Sequence, residues 1–290
     1  MMRRRVLVTG AAGRLAGAVV SVFGRDAAVA ALTRADLDIT DDRAVNDAFA
    51  AHRPDVVING AAYNDVDGAE AAPVRALEVN AFAVRGLARA AAAAGATLVH
   101  YSSDFVFDGT ATRPYVEEDR PNPQGVYAAS KLLGEWFALE APGAIVLRVE
   151  SLFGGTSLAA SRTGSLGTLA AAIEAGRGAP VFVDRTVSPS YVFDVAEATH
   201  ALLATGTASG VYHCVNAGAC SWHDIAIEIA RLLRKPANLT PMTLETAALA
   251  ARRPRFSALA STRLLSAGVA LPTWQNALAR YLGSDPGTPG

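Results

Sequence analysis

Short apolar runs alternate with stretches of helical period through the first half of the chain. Val6-Leu7-Val8-Thr9 predicts a strand, and residues 15–23 place apolar side chains on one helical face. Val29-Ala30-Ala31-Leu32 predicts the next strand. The helix after it contains Ala44, Val45, Ala48 and Phe49 and takes Asp41 or Asp42 as its cap. Asp55-Val56-Val57-Ile58-Asn59 reads as a buried strand behind Pro54. A longer helix through Val74, Leu77, Phe82, Val84 and Leu87 ends near Gly95, before a strand at Thr97-Leu98-Val99-His100-Tyr101. Residues 127–139 read as a helix leading into Ile145-Val146-Leu147-Arg148-Val149. Apolar strands alternating with helices predict an α/β fold, a Rossmann-type doubly wound parallel sheet covered on both faces. Ligands of such sheets bind beyond the strand C-termini.

The second half is less regular. Loops are expected at Gly154-Gly155-Thr156 and at Arg162-Thr163-Gly164-Ser165, then a helix over residues 166–173. Further strands are expected at residues 181–183 and 211–214, and helices at 195–203 and 222–233. Residues 1–149 thus form mainly the sheet domain. Residues 150–282 form mainly a smaller C-terminal lobe, some of whose segments can return to the sheet, and 283–290 a mobile Pro/Gly-rich tail.

Composition narrows the classes. A chain of 290 residues, 51% hydrophobic, can bury a sizeable core. Its net charge of -1 calls for no polyanion, and Arg3-Arg4-Arg5 run straight into a strand, so no nucleic-acid partner is expected. No apolar run is long enough to cross a bilayer, and no membrane partner is expected. The start lacks the features of a secretory signal, which makes the cytoplasm the default location. Two cysteines cannot form a disulfide framework. His213, Cys214, Cys220 and His223 lie close in sequence, but their strand-and-turn context points to packing, and no metal is expected.

The first strand runs into Gly10-Ala11-Ala12-Gly13-Arg14-Leu15-Ala16-Gly17. Gly10 can permit a tight turn, Gly13 the approach of a pyrophosphate, and Gly17 close packing of helix on sheet. The helix N-terminus offers free N–H groups to that phosphate. Ala12, Arg14 and Leu15 complete this cradle for a dinucleotide. No Gly-Lys-Ser/Thr ending follows, which excludes a P-loop. After the second strand, Thr33 stands where an NAD-selective fold places an acid, and Arg34 can face a 2′-phosphate. NADP is therefore favoured over NAD, with an ordinary surface arginine as the other reading. Asp38 lies beside the adenine in the Leu37-Asp38-Ile39 turn.

Tyr127-Ala128-Ala129-Ser130-Lys131 puts a phenol and an ammonium on one helical face. An adjacent ammonium favours the phenolate and brings proton transfer into range. Ser103 follows a strand end, where its hydroxyl can polarise a carbonyl beside Tyr127; a turn cap, or adjacent Ser102 in its place, are the alternatives. Together these residues predict hydride transfer between a nicotinamide and a carbonyl.

The glycine loop, the serine and the Tyr-x-x-x-Lys pair resemble an extended short-chain dehydrogenase/reductase. The segments Ala61-Ala62-Tyr63-Asn64-Asp65-Val66-Asp67-Gly68-Ala69-Glu70, Ser102-Ser103-Asp104-Phe105-Val106-Phe107-Asp108-Gly109 and Val126 to Glu135 resemble the dTDP-4-dehydrorhamnose reductase family. Arg253-Pro254-Arg255-Phe256 resembles its nucleotide-sugar-binding region. The resemblance implies reduction of a 4-keto group on a nucleotide-activated deoxysugar by NAD(P)H, with Ser103, Tyr127 and Lys131 catalytic. It implies cofactor contacts at Gly10, Gly13, Gly17, Asp38, Ile39, Ala61, Ala62, Tyr63, Asn80 and Ser102. It implies substrate contacts at Ser103, Asp104, Phe105, Ser151, Arg253 and Arg255. Phe105 stands where the family often has Tyr, and Ser151 where it commonly has Trp. Competing readings are a nucleotide-sugar epimerase or dehydratase, another ketone reductase, and a noncatalytic NAD(P)-binding regulatory subunit. A homo-oligomer is compatible with each.

Overall fold

Strand residues that are apolar on both sides are buried only if helices cover both faces, and the chain supplies those helices in turn. The computed structural model describes residues 3–156, 164–206 and 209–283. Strands β1 (Arg5–Thr9), β2 (Ala28–Leu32), β3 (Val56–Asn59), β4 (Thr97–Ser103) and β5 (Ile145–Val149) join the later strand Gly210–His213 in a six-stranded sheet. The order is Gly210–His213, β5, β4, β3, β1, β2, and all pairings are parallel. Because β1 has β2 on one side and β3 on the other, the connections diverge and leave a crevice at the C-terminal ends of β1 and β3.

The helices are α1 (Arg14–Phe23), α2 (Asp42–His52), α3 (Val66–Ala71), α4 (Pro73–Leu77), α5 (Ala83–Ala94) and α6 (Val126–Ala138), followed by those of the lobe. Strand period two divides the core. Val6, Val8, Ile58, Val99 and Leu147 face α1 and the helix Val192–Ala204. Leu7, Val57, Leu98 and Val146 face α2 and α5. Asp41, not Asp42, caps α2, accepting from the Arg43 and Ala44 amides.

The single helix expected through Val74 and Leu87 is interrupted. A π-helical turn, Glu78–Phe82, separates α4 from α5 and turns Asn80 into the protein. There α6 comes unusually close: a Cβ on Gly134 would stand 2.1 Å from the Asn80 carbonyl oxygen. Only glycine permits this approach without displacing backbone.

A third core belongs to the lobe. Phe153, Leu169, Val181, Ile225 and Trp274 meet there, drawn from the helices Gly164–Glu174, Trp222–Leu233 and Trp274–Tyr281 and the strands Leu152–Phe153 and Ala179–Phe182. Gly164 and Ser165, expected in a loop, begin a helix, because apolar Leu166, Leu169 and Ile173 dock onto that core. Arg162, Thr163 and the tail beyond Gly283 lie outside the described residues. The helix Val192–Ala204 and the strand Gly210–His213 return to the main sheet. His213 is buried with Nδ1 3.1 Å from the carbonyl oxygens of Tyr115 and Ala260. Among the described residues no helix is long and apolar enough to cross a membrane.

The α6 contact gives a stability prediction. Gly134→Ala should lower the unfolding free energy by about 1–3 kcal/mol or more, because backbone must move to admit one methyl. Urea unfolding measures it; a change within about 0.5 kcal/mol, as at an ordinary surface site, would show that the approach is not tight.

Candidate active site

The crevice is built by close approach of two loops. Gly10 has φ +64°, and a Cβ there would stand 2.7 Å from the Ala61 backbone. The turns after β1 and β3 can therefore touch only because residue 10 is glycine. Gly13 is exposed at the start of α1 and caps it without a side chain, leaving the helix amides open to an anion. Gly13, Arg14, Leu15, Ala61 and Ala62 line a 290 Å³ cleft together with Ser102, Ser103, Tyr127, Lys131 and Ser151.

Other expected cofactor residues stand apart from that cleft. Gly17 faces Thr156, whose Oγ1 would be 3.3 Å from an added Cβ; it does not mediate the close helix–loop contact. Ala16 does so, against Gly60, where a Cβ would stand 2.8 Å away. Ala12 is exposed outside the cleft, and Ile39 is buried in the core. Arg34 is exposed beyond β2. Asp38 accepts from the Thr40 hydroxyl and amide, which with nearby Arg34 hold its carboxyl below the usual range. Asn80 accepts from the Tyr63 amide at 2.8 Å and donates to the Tyr63 carbonyl and to Ser130 Oγ, both at 3.0 Å. Asn80 and Tyr63 thus brace the loop after β3 against α6.

Tyr127 and Lys131 both point from α6 toward the end of β4 and are buried. Lys131 Nζ donates to the Tyr101 carbonyl oxygen at 2.6 Å. Burial pulls its pKa down to about 8, opposed by the Glu135 carboxylate one turn away. The expected lowering of Tyr127 is not what the site shows. Burial pushes the phenol up, and the neighbouring Asp104 carboxylate pushes it further; the Ser103 hydroxyl offsets only part. Desolvation outweighs any help from the ammonium, so free of ligands Tyr127 is a firmly protonated phenol. Ser103 caps the turn Asp104–Val106 by accepting from the Phe105 amide at 3.2 Å, and donates to Asp104 Oδ1 at 2.9 Å. It therefore combines the cap and the cleft position. Ser102 is engaged elsewhere, donating to Glu135 Oε1 at 2.5 Å.

A larger cavity of 570 Å³ adjoins this cleft through Phe105 and Tyr127 and reaches Arg253 and Arg255. Phe105 stands edge-on to Tyr127, ring centres 5.5 Å apart, and the Arg253 guanidinium lies 5.8 Å from the Phe105 ring centre. Arg253 also bonds Asp67 Oδ2 at 2.7 Å, tying the late loop to α3, whereas Arg255 is exposed. Ser151 is a non-glycine residue with φ +42° at the cleft wall, a backbone state that costs on the order of 1 kcal/mol. Asp104 is buried beside Ser103.

Asp67, Glu150 and Arg185 are charged residues in or beside the site to which the sequence pattern assigned no role. Glu150 ends the β5 segment, and a strand C-terminus facing the crevice was the signal available for it.

A family model described as the RmlD substrate binding domain matches residues 3–285. The chain belongs to the RmlD family. The dTDP-4-dehydrorhamnose reductase of Streptomyces griseus is 39% identical over 95% of this chain and 92% of its own length. A probable dTDP-4,6-dihydroxy-2-methyloxan-3-one 4-ketoreductase from Streptomyces antibioticus is 37% identical over 94% of this chain and 93% of its own. Among solved structures, the dTDP-4-dehydrorhamnose reductase of Bacillus anthracis in complex with NADP superposes with a TM-score of 0.91. It is 30% identical and covers 97% of this chain and 99% of its own.

The raised phenol gives a spectroscopic prediction. In the ligand-free protein, the difference in phenolate absorbance between wild type and Tyr127→Phe should be absent near pH ~10, where an ordinary tyrosine is half ionised. A difference of one phenolate at or below that pH would contradict the burial argument.

Proposed function

We propose that this RmlD-family chain reduces the 4-keto group of a nucleotide-activated deoxysugar, with dTDP-4-dehydrorhamnose the favoured substrate and NADPH the favoured cofactor. One observation carries the reading: Ser103, Tyr127 and Lys131 converge at the end of β4 in a cleft that opens into a larger, arginine-lined cavity. A cleft lined by Gly13 and Arg14 fits a dinucleotide pyrophosphate at the α1 N-terminus. Arg34 would meet a 2′-phosphate, and Lys131 the ribose hydroxyls near the nicotinamide. The bound cofactor supplies hydride to the sugar carbonyl carbon.

The chain's own residues handle the oxygen. Charge develops there as hydride arrives, and hydroxyl donors from Ser103 and Tyr127 stabilise it in a site that excludes water. Tyr127 then gives its proton to that oxygen. Reduction needs the protonated phenol, the form that burial enforces. Lys131, held by the Tyr101 carbonyl, places positive charge on the same helix face and favours the phenolate left behind. Arg253 stands at the wall of the larger cavity and supports a sugar-nucleotide diphosphate there. Phe105 and Ser151 set the sugar-facing surface between the two cavities.

Purified protein with dTDP-4-keto-6-deoxysugar and NADPH should oxidise the cofactor and form the 4-hydroxy sugar. Tyr127→Phe should stay folded, bind NADPH and lose roughly two to four orders of magnitude in single-turnover rate. Near-wild-type turnover by that variant would remove Tyr127 as proton donor.

Cofactor choice tests Arg34 separately. Arg34→Ala should weaken NADPH binding about tenfold to a hundredfold, the worth of charge-assisted bonds to a phosphate, and leave NADH binding unchanged. Equal losses for both cofactors would assign Arg34 no part in the preference.

A further inference from the structure

Ser103 has one proton and two lone pairs to distribute. In the structure its oxygen accepts from the Phe105 amide and its proton goes to Asp104 Oδ1. A ketone oxygen accepts only. Ser103 can therefore polarise a ketone only if its proton leaves Asp104, and an ionised Asp104 has nothing to offer in return. A protonated Asp104 does: once Tyr127, which bonds Ser103 in the ligand-free site, turns its proton to the substrate oxygen, Asp104 donates to the Ser103 lone pair and the serine proton turns toward the carbonyl.

The surroundings of Asp104 suit it to hold such a proton. Asp104 and Glu150 are 3% and 1% exposed and both line the cleft. Ser257, fully buried, lies between them: it donates to Glu150 Oε1 at 2.5 Å and also touches Asp104. The Ser188 amide donates to the other Glu150 oxygen at 2.6 Å. Arg185 is the cation facing both carboxyls, flanked by Arg253 and Asp184; Tyr127 faces Asp104 from α6, and Cys220 faces Glu150 from the lobe. Two carboxyls this close, desolvated and served by one guanidinium, do not both ionise readily. Burial raises both above the usual carboxylate range, and the Asp104 charge raises Glu150 further.

We propose that Asp104 and Glu150 hold one proton between them, and that this proton, placed on Asp104, turns the Ser103 hydroxyl into a donor toward the substrate carbonyl. Both are positioning residues: the proton remains on the pair while Tyr127 protonates the product oxygen. This rests on the functional reading above.

The test is kcat/KM against pH for the sugar ketone with NADPH, with thermal unfolding as a control for folding. The protonated pair is required, so the wild-type value should fall as pH rises past the usual carboxylate range, before the separate fall expected as Lys131 deprotonates near about 8. Asp104→Asn cannot titrate and should lose the first fall. Glu150→Gln removes the neighbouring negative charge, lowers the Asp104 pKa and should move that fall to lower pH. Independently of turnover, the infrared band of a protonated carboxyl at neutral pH should be present in wild type and missing from the Asp104→Asn/Glu150→Gln double variant. Reduction with a first fall absent from wild type, or unmoved by either variant, would overturn this inference alone, as would the lack of that band. No reduction at any pH would overturn the functional reading and this inference with it.

Discussion

Lys131 and Glu135 stand one turn apart on α6, and both carry charge into a region that water does not reach. Lys131 reaches the Tyr101 carbonyl, while Glu135 accepts from Ser102 and from Arg148 Nε and Nη2 at 2.9 and 2.7 Å. Tyr101 and Ser102 belong to β4 and Arg148 to β5, so these bonds fasten the helix to the ends of two adjacent strands. An unpaired buried charge costs several kcal/mol even after relaxation, which makes a displaced α6 unfavourable. Gly134 and the Asn80 carbonyl limit approach from the opposite side. Tyr127 sits on the face so fixed, and its distance from Ser103 follows from how α6 meets β4.

This dependence explains what the sequence revealed. β1 to β5, α1 and α6 are local patterns: apolar runs, a glycine turn, a Tyr–Lys spacing of one helical turn. Each can be read without knowing its partner. The π-helical turn at Glu78–Phe82 carries no such mark, since its reason is the distant Gly134. Likewise α3 and the short lobe strands have too few residues for a period and are fixed by long-range pairings such as Cys220 with Val187. The turn at Gly10 was legible because its left-handed backbone and the close approach of Ala61 require glycine. The close packing expected at Gly17 is found at Gly60 instead, since spacing alone does not say which neighbour a missing side chain admits.

The charged contacts that local pattern does not give share a feature. Asp67 meets Arg253 across 186 positions of chain, and Glu150 meets Ser257 across 107. Each joins the sheet domain to the late loop over residues 251–257. Their meaning is a contact between two parts of the fold, and neither part shows it separately.

That late loop connects the larger cavity to the buried carboxyls of the cleft. Arg253 faces the larger cavity, while Ser257, four residues on, bonds Glu150 behind the carbonyl site. Arg185, the cation beside Asp104 and Glu150, is itself fastened to this loop through its contact with the Pro254 carbonyl at 3.4 Å. A shift of the loop to admit a different sugar nucleotide would move Ser257 and Arg185 relative to both carboxyls. Electrostatic interaction among desolvated groups is steep in distance. In this architecture Arg253 at the larger cavity and Ser257 at Glu150 lie on one short strap, so a change in its path moves both.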